Sequence, residues 1–131
     1  MDEVTVSIIT PSFNQGRYIE ETILSILDQK GDFKLEYLVI DGGSTDQTID
    51  ILKKYDNRLK WFSGPDQGQT DAVNKGFAKA SGDILGWLNS DDLYEEGSLA
   101  KVVESYKDHK FQWCFGNCRN IDEGVREIRK P

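Results

Sequence analysis

The sequence predicts an α/β protein, a three-layer α/β/α sandwich around a mainly parallel sheet. Two observations carry that expectation. Short apolar runs rich in β-branched and aromatic residues alternate with stretches whose apolar residues recur at helical spacing. The alternation gives the order βαβαβαβαβ, in which a helix between successive strands favours parallel pairing and covers both faces of the sheet.

Val4-Thr5-Val6-Ser7-Ile8-Ile9-Thr10 is the first strand, and Pro11 is expected to stop it. Ile19, Ile23, Ile26 and Leu27 place a helix from about Arg17 to Gln29. Leu35 to Ile40 is the second strand. Ser44 and Gln47 have capping-box spacing ahead of a helix carrying Ile49, Leu52 and Tyr55. Leu59-Lys60-Trp61-Phe62 is the third strand, ended by Gly64-Pro65. Val73, Gly76, Phe77 and Ala80 mark the next helix, closed by Ser81-Gly82. Ile84 to Leu88 is the fourth strand. Leu99, Val102, Val103 and Tyr106 give a helix, and Phe111 to Phe115 a fifth strand. No linker, repeat or low-complexity run divides the 131 residues, which are read as one domain. After Asn117 the pattern fades into a polar tail, so the chain reads as the first part of a longer protein or a truncated form.

Composition is ordinary for a globular domain, with 37% hydrophobic and 30% charged residues. The net charge of -7 repels polyphosphate backbones, which argues against nucleic acid as a partner. A small anionic ligand would need a bridging cation. No apolar run approaches the ~20 residues of a membrane span. Cys114 and Cys118 would lie roughly 13 Å apart on an extended strand, too far for a disulfide. They are expected to be free, buried thiols of a cytosolic protein, because the single histidine, His109, cannot complete a zinc site with them.

The chemistry-bearing residues collect where strands end, the rim where ligands bind in open α/β sheets. Asp91 and Asp92 follow the apolar run Ile84 to Leu88. Adjacent carboxylates repel unless a cation relieves them, so the pair is a candidate ligand set for Mg2+ or Mn2+. Capping of the following helix accounts for one acid but not for both. Asp41, ahead of Gly42-Gly43, could accept hydrogen bonds from a ribose or base, or belong to a plain strand-turn-helix junction. The three-glycine dinucleotide fingerprint is missing from Thr10 to Gly16, which weakens a dinucleotide-binding reading. Phe13 could lie against a base or fill the core. Gly68 lets the backbone approach a ligand, near Asp66. Asp71 sits in a first helical turn, where the dipole alone favours it. Lys75, one turn on, could meet a phosphate or only solvent.

Together these blocks resemble family 2 glycosyltransferases of the GT-A (Rossmann-like) fold, in order and spacing, over roughly residues 4 to 100. The blocks are Val6 to Asn14, Asp41-Gly42-Gly43-Ser44-Thr45-Asp46-Gln47-Thr48, Asp66-Gln67-Gly68, Asp71-Ala72-Val73-Asn74-Lys75-Gly76, Gly82-Asp83 and Asn89-Ser90-Asp91-Asp92. The resemblance implies a nucleotide-diphosphate sugar donor, commonly a UDP-sugar, bound by Pro11, Ser12, Phe13, Asn14, Asp41, Gly68, Asp71, Lys75 and Asn89. The family's D-x-D motif falls on positions 89 to 91, with Asn89 in place of its first acid. Asp91 and Asp92 are then the expected metal ligands.

It further implies an inverting hexosyl or N-acetylhexosaminyl transferase acting on a glycan or lipid-linked acceptor in surface polysaccharide synthesis. The place is the cytoplasm or the periphery of the inner membrane face. The catalytic base is expected beyond the chain end, in an acceptor-binding part. The 131-residue chain alone is therefore expected to bind donor weakly and transfer sugar poorly or not at all. The main alternative is a non-catalytic nucleotide-binding or assembly module. A phosphoacceptor receiver domain lacks its aspartate after the third strand, and a nucleotidylyltransferase lacks its basic glycine-rich loop after the first.

Overall fold

Strand β1 (Thr5–Ser12) has buried side chains at every position after its first residue, because it is the interior strand on which the sheet turns. The computed structural model describes residues 3–109, 120–121 and 127–129. In chain order the elements are β1, α1 (Ile19–Leu27), β2 (Lys34–Asp41), α2 (Thr48–Lys54), β3 (Lys60–Ser63), α3 (Gln69–Lys79), β4 (Ile84–Trp87) and α4 (Ser98–His109). Four strands form one sheet in the order β3-β2-β1-β4, and every pairing in it is parallel.

Strands are added outward from β1 to β3, and the chain then returns to lay β4 on the other side of β1. Because βαβ crossovers are right-handed, reversing the direction of addition moves the connecting helix to the opposite face. The core divides accordingly. Val6, Ile8, Tyr37 and Val39 pack with Ile19, Ile23 and Ile26 of α1, Leu52 of α2 and Leu99 and Val103 of α4. Ile9, Leu38 and Ile40 point the other way, onto Ala72 of α3 with Phe77 and Ala80 beside it. Successive strand residues alternate between the two clusters, as the period-two geometry requires.

Several features differ from expectation: α1 is shorter than the anticipated 17–29, and β4 ends at Trp87 rather than Leu88. β1 runs through Pro11, which pairs with Ile40. The carbonyls of Thr5 and Ile9 accept from the β4 side (Asp83 and Leu88), and those of Val4 and Ser12 from the β2 side (Lys34 and Gly42). Odd positions of β1 therefore present their amides to β4, whose pairing ends at Ile9 opposite Trp87. The amide that Pro11 lacks would have had no ladder partner, so proline is tolerated there.

α2 begins at Thr48, with no side-chain cap hydrogen bond at its N-cap residue Gln47; Ser44 Oγ instead accepts from the Asn14 amide and donates to Asp41. Two short strands, β5 (Asn120–Ile121) and β6 (Glu127–Arg129), pair antiparallel in the polar tail, where no element was expected. The anticipated strand at 111–115, with Cys114 and Cys118, lies outside the described residues.

α3 approaches β1 closely at Gly76, where a Cβ would stand 2.4 Å from Cγ2 of the fully buried Ile9. Gly76→Ala should therefore destabilise the protein by about 1–2 kcal/mol, overpacking outweighing the ~1 kcal/mol helix preference for alanine. A urea midpoint lowered at unchanged m-value is the expected result; a raised midpoint would refute the close-approach account.

Candidate functional site

The loops leaving β1 and β2 are stitched together. The Asn14 amide donates to Ser44 Oγ at 2.8 Å, and the Thr45 amide donates to Asn14 Oδ1 at 2.8 Å. The Gln15 amide reaches Thr48 Oγ1 at 3.1 Å and the Gly16 amide reaches Asp46 Oδ2 at 2.9 Å. Asn14 takes a left-handed φ of 51°, which asparagine accepts more readily than most residues. This clasp leaves Phe13 standing out, 58% exposed. Asp46 also accepts from the Thr48 amide and hydroxyl. Burial acts to raise the Asp46 carboxyl, but the Thr48 and Gly16 donors outweigh it and hold the group below the usual aspartate range.

Asp41 is 1% exposed. Its Oδ2 accepts from the amides of Gly43 (3.0 Å) and Ser44 (2.7 Å) and from Ser63 Oγ (2.8 Å). Its Oδ1 accepts from Ser44 Oγ. One inward carboxylate thus ties the end of β2 to its own loop and to the end of β3.

Beyond β3, Asp66 comes within 3.0 Å of where a Cβ on Gly42 would lie, a contact that only glycine leaves open. Asp66 Oδ1 accepts from the Gly68 amide at 3.0 Å, and Gly68 has a φ of +110°. Asp71 Oδ2 accepts from the Gln67 amide at 2.9 Å and pairs with Lys75 at 3.2 Å. The Gln67 amide and then Lys75 keep the Asp71 carboxyl low.

The turn after β4 carries the acid pair. The Leu88 amide bonds to the Ile9 carbonyl, and the Asp92 amide to the Asn89 carbonyl at 3.0 Å. Gln69 Nε2 donates to Asn89 Oδ1 at 2.8 Å. Ser90 is buried while Asp91 and Asp92 are exposed. Partial desolvation, then the charge of Asp91, push the Asp92 carboxyl above its ordinary value.

These loops bound an open cleft of about 550 Å3 at the carboxyl edge of the sheet, where the strand order reverses. Pro11, Ser12, Phe13, Gly68, Asn89 and Asp91 line it. Ser12 Oγ is buried and has no hydrogen-bond partner, so an occupant of the cleft would satisfy it. Phe13 belongs to the cleft mouth rather than to the core. Asn14, Asp41, Asp71, Lys75 and Asp92 do not line the cleft. Asn14 and Asp41 hold its walls, Asp71 and Lys75 engage each other on α3, and Asp92 stands beside Asp91. Gly42 and Asp66, already picked out with the acid-bearing loops, also line the cleft, as do Gln15 and Gln69, which were not singled out. Gln69 follows Gly68 directly, and that adjacency was the available signal for it.

Among the described residues no three His, Cys, Asp or Glu side chains converge on a point. One or two carboxylates with an amide oxygen make a hard-oxygen set too small for a resident cage. Such a set suits a divalent ion that arrives with phosphate ligands, so the residues present fit Mg2+ or Mn2+ in that role.

The fold and cleft define an α/β ligand-binding domain of the doubly wound type. The glycosyl transferase family 2 model matches residues 7–131, and the chain belongs to that family. A relative from Campylobacter jejuni, GalNAc(5)-diNAcBac-PP-undecaprenol beta-1,3-glucosyltransferase, is 35% identical over 91% of this chain and 40% of its own length. Staphylococcus aureus TarS (residues 1–349), solved with UDP-GlcNAc, superposes with a TM-score of 0.74 at 30% identity, covering 81% of this chain and 32% of that one. The mannosyltransferase PcManGT from Pyrobaculum calidifontis, solved with GDP-Man and Mn2+, gives a TM-score of 0.72 at 27% identity, covering 83% and 34%. The fold is therefore that of GT-A glycosyltransferases. The chain spans about half the length, or less, of the curated relatives it matches.

Asp41→Ala should cost on the order of 3–5 kcal/mol by stranding four donors. Asp41→Asn should cost only about 1–2 kcal/mol, because one oxygen can keep three of them while the Ser44 hydroxyl reverses to accept. Denaturant titration of both variants checks the order.

A lowered carboxyl stabilises the fold above the unfolded value, about 3.9 for aspartate, and that contribution is lost as pH falls through the folded value. The stability gap between wild type and Asp46→Asn should accordingly narrow from pH 5 downward. A gap constant with pH would contradict the Asp46 clasp.

Proposed function

We propose that this chain is the donor-binding part of an inverting glycosyltransferase that moves a sugar from a nucleotide diphosphate, most simply UDP, to a hydroxyl of a glycan or lipid-linked acceptor. The observation that carries this reading is the cleft at the strand-order reversal, where an unpartnered buried hydroxyl (Ser12), an exposed aromatic ring (Phe13) and an exposed carboxylate (Asp91) share one space. The ring offers a stacking face for a base, and the hydroxyl a hydrogen bond to the nucleotide. Gly68 allows backbone approach, and Asn89, tied to Gln69, offers a polar group near the sugar-diphosphate end. Asn14, Asp41, Asp71 and Lys75 act by fixing the loops that carry these groups. The nucleotide-sugar complexes of TarS and PcManGT support the donor class, and the name of the Campylobacter relative supports a lipid-linked glycan acceptor in envelope polysaccharide synthesis.

Asp91, with Asp92 beside it, would hold Mg2+ or Mn2+. When bound, the ion screens the charge that develops on the departing diphosphate. The chain's own contribution is orientation, holding the anomeric carbon open to attack from the face opposite the diphosphate. The acidic base that takes the acceptor proton belongs, in this reading, to the part of the relatives' length that this chain does not span. No helix among the described residues is long and apolar enough to cross a membrane. Work at the cytoplasmic membrane face would then rest on peripheral contact with a lipid-linked acceptor.

Unfolding scans with UDP, GDP and TDP, each with and without Mn2+ or Mg2+, test the proposal. Wild type should be stabilised by at least one nucleotide, more with metal. Asp91→Ala should lose at least about tenfold of the metal-dependent affinity and keep the metal-free part, whereas Ser12→Ala should weaken both. Wild type indifferent to all three nucleotides would sink the donor reading and favour an assembly module.

A further inference from the structure

Helix α1 carries Thr22 and Ser25 beside its apolar stripe of Ile19, Ile23 and Ile26, with Gln29 two residues past its end, and all three polar residues reach the segment 92–99. Thr22 is fully buried, and its hydroxyl donates to the Asp92 carbonyl at 2.7 Å. Ser25 Oγ accepts from the Tyr94 amide at 3.2 Å and donates to the Thr22 carbonyl at 2.8 Å. Gln29 works in both directions, its Nε2 donating to the Glu95 carbonyl at 2.8 Å and its Oε1 accepting from the Leu99 amide at 3.0 Å.

Residues 88–97 form neither helix nor strand, so their backbone groups must find partners outside a ladder or helix. On the β4 side the segment is fixed by Leu88 on Ile9 and Asn89 on Gln69. On the far side it is fixed by α1. A buried threonine inside a helix ordinarily turns its hydroxyl back to its own helix. Here it leaves the helix to hold the peptide of the acid pair.

We propose that Thr22, supported by Ser25 and Gln29, is a positioning residue that sets the Asp91-Asp92 turn at the height and orientation needed to receive a metal-bound diphosphate. This rests on the donor reading above and deepens it. Thr22 touches neither donor nor metal and acts only through the Asp92 peptide. A carboxylate displaced by a fraction of an ångström loses coordination geometry, especially for Mg2+ with its strict octahedral demand. The Phe13 end of the cleft is held by the separate Asn14–Ser44 clasp and does not depend on Thr22. The two ends of the cleft are held by separate side-chain hydrogen bonds.

The test measures UDP and GDP affinity of the intact protein with and without Mn2+, for wild type, Thr22→Val and Thr22→Ser. Thr22→Val keeps the shape and removes the hydroxyl; Thr22→Ser keeps the hydroxyl. The expected result is that Thr22→Val loses roughly tenfold in the Mn2+-dependent gain, at the low end of what removing an outer-shell partner costs. Its metal-free affinity should stay within about twofold, and Thr22→Ser should restore the gain. Amide exchange at residues 91–95 should also quicken in Thr22→Val without any ligand. A Thr22→Val protein with the wild-type Mn2+ gain would overturn the positioning role and leave the donor reading standing. An equal loss with and without metal, accompanied by a lowered unfolding midpoint, would reduce Thr22 to a structural residue and also overturn it. If wild type shows no Mn2+ gain with either nucleotide, the metal-dependent donor reading fails, and this inference fails with it.

Discussion

The reversal of strand order around β1 is the constraint from which the rest follows. A parallel strand with a neighbour on each side sends its chain out over an edge where the next connections diverge, one to each face. The loop after β1 cannot lie against a continuing helix layer on both sides, so a crevice opens between the ends of β1 and β4. Nothing in that crevice needs to be carved out by unusual side chains. Topology makes the space, and the loops have only to keep it from collapsing.

Keeping it open is a problem of fixing short loops without regular secondary structure. The protein solves it with side-chain acceptors directed at backbone amides. Asp41 gathers the loop after β2 and the end of β3. Asp46, Ser44 and Thr48 draw in the loop after β1, and Asp66 and Asp71 brace the turn into α3. Much of the negative charge along this edge is therefore already engaged by amide and hydroxyl donors. The exposed, mutually repelling Asp91 and Asp92 differ from it, and burial with like charge shifts Asp92 upward. Acids with internal donors build walls; Asp91 and Asp92 are the acids that the proposed function gives a cation.

Strand cores and helix stripes were legible in the sequence because burial imposes periodicity, and Val6, Ile8, Ile19, Ile23 and Val39 all lie where the pattern placed them. What stayed hidden depended on direction. Whether Pro11 ends a strand depends on which neighbour its missing amide would face, a property of the sheet rather than of the residue. Whether Ser44 caps α2 depends on a competing donor, the Asn14 amide on the neighbouring loop, which Ser44 Oγ accepts from. Asp41 read equally as ribose acceptor or junction residue, and only packing turns it inward. Phe13 could be core or surface by composition, and the Asn14 clasp is what stands it outward. Thr22, Ser25 and Gln29 carry no motif, since polar residues on a helix ordinarily mean a solvated face.

A coordination site completed only when substrate arrives has a physical advantage over a finished one. A full carboxylate cage binds its ion whether or not phosphate is present, and much of the available charge is then neutralised before the donor enters. In the proposed reading, Asp91, Asp92 and the Asn89 amide alone would supply too few oxygens to hold Mg2+ or Mn2+ tightly, and the diphosphate would provide the remainder. Ion and donor would then bind cooperatively, each raising the affinity for the other by the same factor. In that reading, the amide at position 89 would shift the balance further toward dependence on the donor than a third carboxylate would. The turn carrying these groups must then be rigid in advance, because a donor that also had to order its ligands would lose affinity to that ordering.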